Sequence, residues 1–341
     1  MILIRTDANE NIGIGHMMRC LSVARAFENK GENLLFVTAD HKGDSLINQQ
    51  GFQTVCLDSE WSDPKNEKID SVIEKYHPDL ILVDSYFVTE QYMENLSKKV
   101  CTAYFDDLNA HCWKVNYIIN YNIFASVFDY SSYVGTSTKL LLNPQYAPMR
   151  DEFKNCSAHK IKDVTDILFS AGGSDPERVT EKVLSAICPK MPGVRFHLIV
   201  GALNPRLGEI KMLSDNLENV ALHINERHMS DLMNTCDVAV AAAGMTLYEL
   251  CATGLPTLTY TLADNQLVAA EQFNKQGIML SAGDCRGDDG FINRLATQLS
   301  KLVGDVELRS VLSEKMQKLV DGEGAERITG ELLSHFGETT D

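Results

Sequence analysis

Basic residues are the scarce charge in this sequence. Lys and Arg number 31 against 47 Asp and Glu, a formal net charge of −16, and no run of them makes a basic stripe. This argues against nucleic acid as a main partner. It leaves room for a small anion, which backbone N–H groups at a helix start can hold whatever the net charge. Long apolar runs are missing too. Nothing approaches the roughly 20 residues of a membrane span, so no stable membrane insertion is expected. The opening MILIRTD carries only a short apolar run with no basic stretch before it, unlike a secretory leader. Nine cysteines lie scattered from Cys20 to Cys285 without a C-x-x-C pair. In a cytoplasmic chain, the expected location, they read as reduced and mostly buried thiols. No His/Asp cluster has obvious metal-ligand spacing, and neither a metal nor a cofactor is expected.

What is present is ordinary globular composition, 44% apolar and 23% charged, which sets disorder, collagen and coiled coil aside. At roughly 150 residues per domain, 341 residues suggest two cores. Strand-like runs at Ile2–Thr6, Leu34–Thr38, Leu80–Val83, Val100–Phe105 and Tyr117–Asn120 alternate with helical patterns at His16–Asn29, Asp44–Gln50 and Glu90–Lys98. Apolar runs between helices mean a parallel sheet covered on both faces. The stretch Asn143–Asp163, with Pro144 and Pro148, breaks the rhythm and reads as a linker. Alternation then restarts: strands at Asp166–Ser170, Arg195–Val200, Val220–Ile224, Val238–Ala242 and Thr257–Thr261, helices at Pro176–Ile187, Thr246–Thr253 and Asn265–Gln276, and helix through the last fifty residues. No short-period repeat is visible. The expectation is an α/β protein of two doubly wound Rossmann-like domains, residues 1–150 and 151–341, with ligand bound beyond the strand ends in a cleft between them.

Four turns follow strands and open helices. The first contains Gly13-Ile14-Gly15-His16. Its spacing is not G-x-G-x-x-G, and no acidic residue suits a ribose about 20 positions on, so a nicotinamide site is a poor reading. Glycines let the backbone approach a ligand, and His16 stands at a helix start facing the expected cleft. The second, Gly172-Gly173-Ser174-Asp175-Pro176, reads either as a capped strand–helix turn, with Pro176 first in the helix and Asp175 or Ser174 as cap, or as a ligand loop. The third, Gly244-Met245-Thr246, can cradle a diphosphate. Glu249 one turn later either accepts the two hydroxyls of a ribose or merely complements the helix dipole. In the fourth, Asp264-Asn265-Gln266, the amides suit sugar hydroxyls, and Asp264 is alternatively a plain cap.

Taken together, these loops resemble the UDP-sugar hydrolases of the pseudaminic acid pathway, which act on UDP-2,4-diacetamido-2,4,6-trideoxy-β-L-altrose, and related spore-coat polysaccharide proteins. The matching stretches are RTDANENIGIGHMMRCLSVA (5–24), VDSY (83–86), FDDL (105–108), YAPMRDEF (146–153), GGSDP (172–176), GMTLYE (244–249) and DNQ (264–266). More distantly, the second half is similar to the N-acetylglucosaminyltransferase that makes lipid II. The resemblance implies a GT-B fold with UDP held mainly by the C-terminal domain. It implies His16, Tyr86 and Asn265 as catalytic residues, Glu249 on the ribose, Ile224 near the uracil, and Gly13, Gly15, Gly172, Gly173, Ser174, Gly244, Met245, Thr246 and Gln266 among the binding positions. The chain departs from the family with Ser85 where His is frequent and Asn143 where Gly is.

Hydrolysing a UDP-sugar requires a stabilised diphosphate leaving group, a water on the opposite face of the anomeric carbon, and a base for its proton. A neutral imidazole at a helix N-terminus suits that base. Attack opposite UDP inverts the anomeric centre, and the resemblance implies C–O cleavage without a metal. Two alternatives remain at this point: a GT-B glycosyltransferase, with His16 deprotonating an acceptor hydroxyl, and a non-catalytic UDP-sugar-binding protein.

Overall fold

Short runs of buried β-branched and aliphatic residues between amphipathic helices can satisfy their backbone only by pairing with one another. They do so twice in the computed structural model, which describes residues 1–9, 12–64, 68–173, 175–201, 204–226 and 228–337. Met1–Asp151 and the stretch from Glu323 onward make one compact unit. Glu152–Gly322 makes the other.

The first unit holds seven strands: β1 (Ile2–Thr6), β2 (Leu34–Thr38), β3 (Thr54–Cys56), β4 (Leu80–Asp84), β5 (Cys101–Phe105), β6 (Tyr117–Asn120) and β7 (Lys139–Leu142). They form one parallel sheet in the order β3-β2-β1-β4-β5-β6-β7. β1 and β4 are buried at every residue. The helices are α1 (Gly15–Asn29), α2 (Asp44–Gln49), α3 (Ile69–Tyr76) and α4 (Glu90–Ser97). The sequence reading did not include β3, β7 or α3.

In the second unit six strands, β8 (Asp166–Ser170), β9 (Arg195–Val200), β10 (Val220–Ile224), β11 (Val238–Ala242), β12 (Thr257–Thr261) and β13 (Leu280–Asp284), pair in parallel in the order β10-β9-β8-β11-β12-β13. Around them lie α5 (Val179–Ala186), α6 (Leu207–Ser214), α7 (Met229–Thr235), α8 (Thr246–Thr253), α9 (Asp264–Lys275), α10 (Phe291–Gly304) and α11 (Val306–Leu319). Strand β13 and helices α6 and α7 were not expected. Helix α5 begins at Val179 rather than Pro176, because Asp175 and Arg178 take positive φ. Arg178, not Asp175, holds the cap position, but the two carboxylate oxygens of Asp175 accept from the N–H groups of Val179 and Thr180 at 2.9 Å.

The last helix, α12 (Gly324–Gly337), departs from the expected 151–341 domain by joining the first unit, where it packs on α1. Tyr117 donates its hydroxyl to the Glu331 carbonyl at 3.2 Å, and Arg327 donates to that of Gln145 at 3.0 Å. Gly324 is required there by close approach, since a Cβ would stand 2.1 Å from the Ala147 carbonyl oxygen. Asn143, where the resemblance has Gly, takes φ +81° and ψ 163°, a region that a side chain strains.

Candidate functional site

Each sheet has one point where the strand order reverses, and loops leaving the two strands beside it diverge to leave a crevice. In the first unit that point lies between β1 and β4, whose register pairs Thr6 with Asp84. The loop after β1 returns through a bridge between Asn9 and Gly13. The Gly13 N–H donates to the Asn9 carbonyl at 2.8 Å, and Gly13 takes φ +73°, a conformation that favours glycine. Gly15 then opens α1, whose N-terminus has no side-chain cap. His16, its second residue, is thereby delivered beside the end of β4.

His16 Nδ1 lies 2.6 Å from Asp84 Oδ1. Arg19, one turn along the same helix, donates from Nε to Asp84 Oδ2 and from Nη2 to Oδ1, both at 2.6 Å. Burial alone would push the Asp84 carboxyl up, but Arg19 and the His16 ring more than offset it and hold the group well below the usual carboxylate range. Asp84 is therefore an ionised acceptor. A hydrogen on His16 Nδ1 satisfies that contact and leaves Nε2 with its lone pair; Arg19 Nη2 also lies 3.2 Å from Nδ1. Arg19 Nη1 also reaches Asp107 Oδ1 and the Tyr121 hydroxyl, each at 3.1 Å. Asp107 Oδ2 accepts from the Tyr86 hydroxyl at 2.8 Å. Burial, reinforced by Asp107, pushes the Tyr86 phenol well above its usual range, so it remains a donor. The Tyr86 and His16 rings meet edge to face at 4.5 Å. Asp7, Ile12, His16, Trp61, Asp84, Ser85, Tyr86 and Phe87 line one recess, where the Trp61 and Phe87 rings meet edge to face at 4.9 Å.

The structure thus joins His16 and Tyr86 through a buried charge network that sequence reasoning missed: Arg19, Asp84, Asp107 and Tyr121. Two signals were available. Arg19 falls three positions after His16, on the same helix face, and Asp84 and Asp107 each stand at or just beyond the carboxyl end of an apolar strand. The first aspartate of FDDL has a different task. Asp106 accepts from the N–H groups of Leu108 and Asn109 and from Trp113 Nε1, fixing the loop.

The remaining candidates lie on the second unit. Its order reverses between β8 and β11, so Gly172 and Gly173 and the turn Gly244-Met245-Thr246 flank the corresponding crevice. The glycines are exposed, and Met245 and Thr246 are half-buried. Helix α8 has no side-chain cap. Glu249, in its first turn, is half-buried. Ile224 ends strand β10 at the sheet edge and is 38% exposed. Asn265 is the exposed second residue of α9, beyond the strand next to β11. Gln266 is already engaged, its Oε1 accepting from the Leu262 N–H at 2.8 Å. Asp264 is not the cap of α9. Ala263 holds that position, and Asp264 instead accepts from Arg286 at 2.7 Å. Ser174 lies outside the described residues.

Solved structures of glycosyltransferases share this architecture. Acinetobacter baumannii MurG aligns over 98% of this chain and 99% of its own with a TM-score of 0.69 at 10% identity. A spinosyn rhamnosyltransferase complexed with thymidine diphosphate aligns over 97% and 99% at 0.64 and 14%. The fold is GT-B. No protein-family model matches the chain. Among curated proteins it is homologous to the spore coat polysaccharide biosynthesis protein SpsG of Bacillus subtilis, 23% identical over 96% of each chain. It is equally 23% identical to the UDP-2,4-diacetamido-2,4,6-trideoxy-β-L-altropyranose hydrolase of Campylobacter jejuni, over 73% of this chain and 86% of that one. An uncharacterized protein of Methanocaldococcus jannaschii is 27% identical over 78% of this chain, which spans only 56% of that relative's length. Homology of this kind supports an enzyme of sugar-nucleotide metabolism. Among the described residues, no helix is long and apolar enough to cross a membrane.

Proposed function

We propose that this protein hydrolyses a UDP-linked diacetamido-trideoxy hexose, of the altropyranose type or a close relative, to the free sugar and UDP in the cytoplasm, for pseudaminic acid or surface polysaccharide synthesis. The carrying observation is the His16–Asp84 contact, with Nδ1 held at 2.6 Å by an ionised carboxylate. His16 Nε2 takes a proton from water as its oxygen attacks the anomeric carbon from the face opposite UDP. The bond from that carbon to the diphosphate oxygen breaks, its electron pair leaves with UDP, and the anomeric centre inverts. Asp84 stabilises the imidazolium that forms, while Arg19 and Asp107 hold Asp84 and Tyr86 in place. Tyr86 and Asn265 position the sugar. The uncapped start of α8 with Gly244, Met245 and Thr246, together with Gly172, Gly173 and Ser174, receives the diphosphate. Glu249 takes the ribose hydroxyls, Ile224 lies by the uracil, and Gln266 holds the neighbouring loop. Gly13 and Gly15 border open space on the approach to His16, where a Cβ at either would meet no atom within 4 Å.

A second reading, transfer to a sugar hydroxyl, is favoured by the fold neighbours, which are glycosyltransferases. Measuring UDP release with water as the only acceptor separates the two. Running it in ¹⁸O-water adds the bond cleaved: label in the sugar supports C–O cleavage, and label in UDP refutes it. No release with any donor of a UDP-sugar panel rejects the hydrolase.

A further inference from the structure

Beyond the His16 recess, the ends of β2 and β3 bring together three side chains of different ligand chemistry. Cys56 closes β3 opposite Thr38, the last residue of β2. Asp58 follows two residues later, and His41 stands in the turn after β2. One oxygen, Asp58 Oδ1, lies 3.6 Å from Cys56 Sγ and 3.9 Å from His41 Nε2, and ligand atoms of all three fall within 4.8 Å of one another. Tetrahedral zinc with ordinary bond lengths separates a sulfur and an oxygen ligand by about 3.6 Å and a nitrogen and an oxygen by about 3.4 Å. The first separation is already met, and the second needs a small turn of a side chain that is 73% exposed.

The surroundings complete the pattern. His41 Nδ1 is 2.6 Å from Asp44 Oδ2, so the ring donates there and presents Nε2. A carboxylate behind the imidazole in this way is the usual partner of a metal-bound histidine. Asp44 is itself held by the Thr38 hydroxyl at 3.1 Å. The Asp58 N–H donates to Cys56 Sγ at 3.4 Å, a bond that survives loss of the thiol proton.

We propose that His41 Nε2, Cys56 Sγ and Asp58 Oδ1 bind one thiophilic divalent cation of the zinc class, with water in the fourth position. Binding expels the Cys56 thiol proton to solvent and forms the metal–sulfur bond. The mixed N, S and O set selects against magnesium and calcium, which prefer oxygen alone. The site's role is structural. Asp58 and Trp61 share the loop after β3, already tied by the Ser59 N–H to the Ala39 carbonyl at 2.9 Å, and Trp61 walls the His16 recess. A bound cation clamps that loop without entering the chemistry, so the inference does not rest on the hydrolase reading.

The test uses the full chain stripped of metal. Cobalt should bind at one equivalent with a thiolate-to-cobalt absorption band, zinc should displace it, and magnesium should not. C56S should abolish the band, H41Q and D58N should each weaken binding at least about tenfold, and D44N about 10–100-fold. C112S, at an exposed cysteine elsewhere, should leave the band intact. Zinc should also slow amide exchange in residues 57–64 of the wild type but not of H41Q, a surface change that leaves the fold standing. No stoichiometric binding, a band that persists in C56S, or one lost in C112S overturns the proposal.

Discussion

Replacing Asp84 with Asn separates the orientation of the proposed base from its presence. The substitution keeps the shape of the side chain but removes a charge that receives three hydrogen bonds at 2.6 Å, one from His16 and two from Arg19. Removing one partner of a buried ion pair costs about 3–5 kcal/mol. The lower end is expected, because Asp107 still lies 2.8 Å from Arg19 and leaves it partnered. An Asn amide can present N–H as readily as oxygen to Nδ1, so the ring is free to adopt the tautomer that places its hydrogen on Nε2. Loss of the base should lower turnover by about 10²–10⁴-fold. The folded-state pKa of Asp84 is depressed, so the stability it supplies is fully present above the unfolded value of about 3.9 and is lost as pH falls below it. The gap between wild type and D84N in urea unfolding should therefore be constant at neutral pH and narrow below about pH 4. UDP release per folded molecule measures the chemistry. If D84N turns over at the wild-type rate, Asp84 does not orient the base. If its stability gap widens on acidification, the charge assignment is wrong.

Three further outcomes follow from the same geometry. His16→Asn should lower turnover about 10²–10⁴-fold with UDP affinity barely changed, and its pH–rate profile should lose the acidic limb; a parallel loss of affinity would make His16 a binding residue. Glu249→Ala should weaken UDP by about 1–3 kcal/mol in calorimetry, and unchanged affinity rejects the ribose contact. Asn143→Gly should raise stability by about 1 kcal/mol, relief of about 1–3 kcal/mol of backbone strain less about 0.5–1 kcal/mol of glycine entropy; a lower urea midpoint would show that Asn143 is unstrained.

The sequence was most readable where one local rule operated alone. A Gly-x-Gly turn between a buried strand and an apolar-spaced helix placed His16 at a helix start, and Gly254 stopped α8 with φ +67°. Strands β3, β7 and β13 escaped because Thr54–Cys56 is three residues long, Lys139–Leu142 is four residues long and opens on a lysine, and Leu280–Asp284 contains Ser281 and Gly283. Arg19 finds partners 65 and 88 positions away, and the His41, Cys56 and Asp58 grouping depends on two strand ends being neighbours. Spacing along a chain carries neither fact. The sequence announced helix through its last fifty residues, but not which surface would receive α12.

That last helix sets an order of assembly. Domains generally fold as units, the N-terminal one first, while the chain is still being made. Here α1 is made before the whole of Glu152–Gly322, and its helical neighbour α12 is made after it. A ribosome halted at Gly322 holds every residue of the second unit and a first unit with an uncovered flank. The unit carrying His16 is therefore begun before the second unit and completed after it, and the nascent chain must keep that flank from other partners until α12 arrives.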